Sequence, residues 1–148
     1  MFQFRLETLL RLRLDDRDKR RGELAEAYEA ERVLELRINE TDDELVAVNQ
    51  RTREIQASGT VNIDAATERQ RYQLILKSQL QSLKQQTEQV GVETEKRKQA
   101  LIEADREVKK FEQLKENQRT VYDKEQLMIE VKNLDEVATM AHARKRSQ

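Results

Sequence analysis

No proline interrupts these 148 residues, and only three glycines are scattered through them. Proline breaks a helix by removing an N–H and clashing with the preceding turn. Its absence leaves long stretches in which nothing stops a helix. The residues that fill those stretches are mostly strong helix formers: Glu, Arg, Gln, Lys, Ala and Leu. Apolar side chains make up 36% of the chain and charged ones 39%, too little apolar sequence for an ordinary compact domain. What apolar sequence there is recurs in sevens.

In the first half, Leu24, Glu31, Ile38, Leu45 and Thr52 form one heptad row, and Ala27, Leu34, Thr41, Val48 and Ile55 form a second, three residues later. Together they make the a/d seam of a coiled coil, with Glu31, Thr41 and Thr52 as its imperfect members. In the second half, Leu76, Leu83, Val90, Arg97, Ala104 and Phe111 make one row and Leu80, Thr87, Thr94, Leu101 and Val108 the other. After Phe111 the apolar pattern suggests a phase slip, with Leu114, Val121 and Met128 taking over, followed by Leu127, Val131, Leu134, Ala138 and Ala141. Extended backward from Leu24, the seam meets Arg13, Arg17 and Arg20, so it is nearly free of apolar residues between Leu14 and Leu24.

One place in the middle reads as a turn. In Ala57-Ser58-Gly59-Thr60-Val61-Asn62-Ile63-Asp64, Gly59 suits a left-handed helix end and Asn62 or Asp64 suits an N-cap. The expected fold is therefore all-α: two long helices forming an antiparallel coiled-coil hairpin, the second longer than the first. The expected organisation is one domain over 1–148, with a helix at about 4–57, a turn at about 58–63, a helix at about 64–141 and a basic tail at 142–148. Reflection about residue 60 sets Ile55 near Ala65, Val48 near Tyr72, Leu34 opposite Leu83–Val90, Leu6 near Leu114 and Met1 near Arg119. The seams would then run together for roughly 50 residues, or about 75–80 Å. Gly22 and Gly91, isolated in helical sequence, mark either tolerated defects or points of close approach.

With 28 basic and 29 acidic residues, the net charge of -1 gives no field to hold nucleic acid or an anionic membrane. There is no Cys, hence no disulfide and no thiolate chemistry. The N-terminus lacks the apolar core of a signal peptide, and no stretch approaches the ~20 apolar residues of a membrane span. A soluble, leaderless intracellular protein is expected. No glycine-rich phosphate loop is present, and the lone His142 sits near the end of the chain. Acidic runs such as Asp15, Asp16 and Asp18, or Asp42, Asp43 and Glu44, read as solvated helix faces. No cofactor, no metal and no enzymatic activity are expected.

Two segments exceed what a seam needs. At the N-terminus, Phe2, Phe4, Leu6, Leu9, Leu10, Leu12 and Leu14 cover more than one seam can bury, interleaved with Arg5, Arg11, Arg13, Arg17, Lys19, Arg20 and Arg21. A wide coiled-coil end, a basic membrane-surface helix and a protein-docking end all fit; Glu7, Asp15, Asp16 and Asp18 weigh against the membrane. At the C-terminus, Glu130 to Ala138 keeps an apolar stripe beyond the paired hairpin. It folds back, self-associates or meets a partner.

The opening Phe2-Gln3-Phe4-Arg5-Leu6-Glu7-Thr8-Leu9-Leu10-Arg11-Leu12-Arg13, the chain length and the terminal Lys132-Asn133-Leu134-Asp135-Glu136-Val137-Ala138 resemble the flagellar export protein FliJ family. The resemblance is specific at the two ends, and the middle is generic coiled coil. It implies a stalk, similar to that of rotary ATPases, whose end enters the hexameric export ATPase, and which contacts a membrane export-gate protein and export chaperones. It implies cytoplasmic localisation, with membrane association only through partners. Carried onto this chain, it makes Phe4, Leu6, Leu9, Leu10 and Arg11 the expected ATPase-contact residues, with Leu134, Asp135 and Glu136 beside them. It maps no gate contacts; the apolar residues off the seam, Val33, Leu36 and Val46, are candidates on their own pattern. An export-chaperone escort and a generic structural coiled coil are the alternative functions.

Overall fold

A computed structural model describes residues 1–146. They form two helices and, among the described residues, no strand: α1, Glu7–Ala57, and α2, Ile63–Arg146, of 51 and 84 residues. α2 is the longer, and the two pack as a helical hairpin. α1 starts later than the expected Phe4, because residues 1–4 are not helical and the Phe4 carbonyl instead accepts the Glu7 N–H at 3.1 Å. α2 continues through the expected tail to Arg146; Arg144, Lys145 and Arg146 in its last turn face the negative end of its dipole. Ser147 and Gln148, the last two positions of that tail, lie outside the described residues.

The turn is built as its residues require. Gly59 takes φ +73°, in the left-handed region open to glycine. Ser58 Oγ donates to the Ile55 carbonyl at 2.7 Å, capping the end of α1. Asn62, rather than Asp64, is the N-cap: its Oδ1 accepts the N–H groups of Asp64 and Ala65 at 3.1 and 3.3 Å.

The chain divides into two compact units. In the unit Lys19–Ile102, Leu24, Ala27 and Leu34 of α1 and Leu76 and Leu80 of α2 are buried, at the heptad positions expected. The cross-helix bonds set the pairing. Tyr72 donates its hydroxyl to the Glu44 carboxylate, Gln73 Nε2 to Asn49 Oδ1 at 2.9 Å, and Arg97 Nη1 to the Glu23 carbonyl. Leu34 shares a groove with Gln86 and Val90. The polar seam members are satisfied locally: Thr41, Thr52, Thr87 and Thr94 each donate to the carbonyl four residues back at 2.8–2.9 Å. Buried Thr94 therefore strands no hydroxyl. Gly22 and Gly91 approach nothing closely; a Cβ at either would meet no atom within 4 Å.

In the unit formed by Met1–Asp18 and the chain from Glu103, the core is Phe4, Leu10 and Val108, with Phe2, Leu6, Leu14 and Phe111 packed against it. Val108 is 0% exposed. The expected phase slip after Phe111 does not occur. Leu114, Val121 and Met128 are exposed, and the seam keeps its register through half-buried Lys115 and Tyr122. Lys115 fills a seam position because its ammonium pairs with Glu7 at 2.7 Å and lies 5.9 Å from the centroid of the Phe4 ring. At the arginine-rich stretch, Leu14 is half-buried while Arg13 is exposed, and Arg17 lies partly in the interface with its side chain 19% exposed.

Candidate functional site

The N-terminal segment separates into an inward and an outward face, set by helical spacing. Leu6, Leu10 and Leu14, four residues apart, point toward α2 and close over Val108 and Phe111. Residues 1–6 strap the end of this packing: the Met1 nitrogen donates to Tyr122 Oη at 3.0 Å, and the Phe2 and Tyr122 rings lie 5.7 Å apart at 48°. That leaves Leu9 at 45% and Leu12 at 58% exposed, three residues apart on one side of α1, with exposed Arg5 and Arg13 flanking them; Arg11, also exposed, lies about 160° around the helix from Leu9. Nearby, the Glu107 carboxyl is held below its usual range, chiefly by its hydrogen bond from Lys110 at 2.7 Å and also by the charge of Arg13. An apolar row rimmed by guanidinium groups can do no bond chemistry by itself. It is suited to seat on a partner with an apolar groove and an acidic rim.

Of the eight residues expected at an ATPase contact, the structure buries Phe4 and Leu10 and half-buries Leu6, while Leu9 and Arg11 face outward. Leu134, Asp135 and Glu136 are all exposed on α2, but not beside the N-terminal residues. Met1 reaches Tyr122, and Leu134 lies about 18 Å further along the helix at 1.5 Å per residue. In the other unit Val33, Leu36 and Val46 are exposed; Val33 borders the groove of Leu34, Gln86 and Val90. Of the two residues that anchor the N-terminal strap, Tyr122 reads from its spacing as a packing residue at or beside the seam, while Lys115 escaped the sequence reading. Their signal was present: Leu101, Val108, Lys115 and Tyr122 are spaced by sevens, in phase with the seam.

Among the described residues no helix is long and apolar enough to cross a membrane. A helical hairpin whose inward face is spent on its own partner helix, and whose end turns an apolar and basic surface outward, defines the class of two-helix coiled-coil proteins. Within that class the assignment is direct: the family model described as Flagellar FliJ protein matches residues 2–147, and the chain belongs to that family. Its role is in flagellar biogenesis and protein export. No curated protein and no solved structure matches it.

Proposed function

We propose that this chain is a non-enzymatic, cytoplasmic stalk that engages the hexameric export ATPase and couples it to the membrane export gate. It also meets export chaperones and reaches the inner membrane only through these partners. The observation that supports this most strongly is the division of labour at the N-terminal end of a chain matched over nearly its whole length by one export family. Phe4, Leu6 and Leu10 hold the end together, and Leu9 and Arg11, with Leu12, offer it to the ATPase. Leu134, Asp135 and Glu136 supply a second contact further along α2. Val33, Leu36 and Val46 are the gate-facing candidates. The whole chain acts as a single coiled-coil domain in this role.

The test is titration of the purified export ATPase with the native chain and with Leu9→Asp/Arg11→Glu. Both side chains are solvent-facing, so helical content stays unchanged. Loss of an apolar anchor and reversal of a rim charge should weaken binding by about a hundredfold. A folded double variant that binds and stimulates the ATPase like the native chain removes these two residues from the interface. Val33→Ser/Leu36→Ser/Val46→Ser should leave ATPase binding intact and weaken gate binding.

A further inference from the structure

Beyond Tyr122 the hairpin seam has nothing left to hold. Its next positions, Glu125, Ile129, Lys132 and Glu136, carry a single apolar residue, and every described residue from Asp123 to Arg146 is exposed. The same stretch carries a second seam. Leu127, Val131, Leu134, Ala138 and Ala141 follow a four-three spacing, the heptad rule of a coiled coil. At 100° per residue they lie between about 100° and 180° around the helix from Tyr122, so this stripe does not continue the surface that meets α1. Leu127 and Leu134 are exposed at 61% and 67%.

Charge identifies what fits there. From Val121 to Glu136 acidic residues predominate: Asp123, Glu125, Glu130, Asp135 and Glu136 against Lys124 and Lys132. From Val137 to Arg146 the charged residues are all basic: Arg144, Lys145 and Arg146. A parallel copy would set Glu130 against Asp135 of its mate, like against like, at the flanking positions that decide orientation. An antiparallel copy does the reverse. With Val131 of one copy against Leu134 of the other, Leu127 meets Ala138, both pairs occur twice by two-fold symmetry, and Asp123 of each copy faces Arg144 of the other. Asp123 is free to make this exchange: its contact with Arg119 is 3.9 Å long, and both side chains are about two-thirds exposed.

We propose that the C-terminal stretch of α2, residues 123–144, is a self-association surface on which a second copy of this chain docks antiparallel. The pairing is weak, because two of its five seam residues are alanines. On the reading above, it also covers Leu134 and Asp135, so self-pairing and partner docking compete for one face.

Sedimentation equilibrium on the full chain alone tests it, with no ATPase present. The native chain passes from monomer to dimer as its concentration rises toward about 1 mM. Leu134→Asp, on a surface the monomer does not bury, raises the dimer dissociation constant more than about tenfold without loss of helicity. Asp123→Arg and Arg144→Asp each weaken the dimer about threefold, and together they restore it to within about twofold of the native value, as only the antiparallel register allows. A native chain still monomeric at about 1 mM, a dimer indifferent to Leu134→Asp, or a double charge swap that fails to restore pairing overturns the proposal.

Discussion

Gly59 and Gly22 differ in one backbone torsion, and that torsion sets the sign of the same substitution at each. Gly59 sits at φ +73°, where an alanine Cβ meets its own backbone; Gly59→Ala should cost about 1–2 kcal/mol. Gly22 and Gly91 sit in helix with open space where a Cβ would go, so alanine at each should gain about 0.5–1 kcal/mol by removing unfolded-state freedom. Chemical denaturation of the three variants checks both signs at once. Tyr72 gives a second residue-scale test. Its hydroxyl donates to Glu44, and this bond first, then desolvation and the carboxylate charge, raise the phenol above its ordinary value of 10.0. A raised folded value means the contribution is complete below pH 10 and is lost as pH climbs through the folded value. Ultraviolet titration should show one tyrosine ionising late, and Glu44→Ala should return it to the ordinary range.

Between the helices, residues two positions apart on α2 have opposite fates. Leu76 is 2% exposed in the seam, and Leu74, two positions earlier, is 61% exposed. Leu76→Ala should destabilise by about 2–4 kcal/mol and Leu74→Ala by less than about 0.5 kcal/mol, as measured by thermal unfolding. This contrast was legible in the sequence, because rows spaced by sevens assign each residue a side. The same logic failed after Phe111. Read along one helix, Leu114, Val121 and Met128 are the better seam residues and Lys115 and Tyr122 the worse. What reverses that ranking is on the other helix: Glu7 and Phe4 receive Lys115, and Phe2 and the Met1 nitrogen receive Tyr122. A polar residue can occupy a seam when its partner is built for it, and no single-helix periodicity contains the partner. The separate apolar row further on, Leu127, Val131, Leu134, Ala138 and Ala141, is the stripe on which a second copy of the chain is proposed above to dock.

At the scale of the molecule, the hairpin, its turn and the greater length of α2 were all readable from the absence of proline, the heptads and one glycine. The N-terminal end was read only in composition. The opening segment visibly held more apolar residues than a seam needs, but which of them are spent inward depends on where residues 1–6 leave the helix and cross α2. That division leaves Leu9, Arg11 and Leu12 outward and ties Phe4, Leu6 and Leu10 to the core. What ties the chain to the flagellar export family is the match of that family over residues 2–147. The most direct test is secretion of flagellar subunits, and swimming, in a flagellated strain lacking its own copy and supplied with either the native chain or Leu9→Asp/Arg11→Glu. The native chain should restore both, and the double variant, present at native level and fully helical, should restore neither. Full secretion and swimming with the double variant would contradict a role played through those outward side chains.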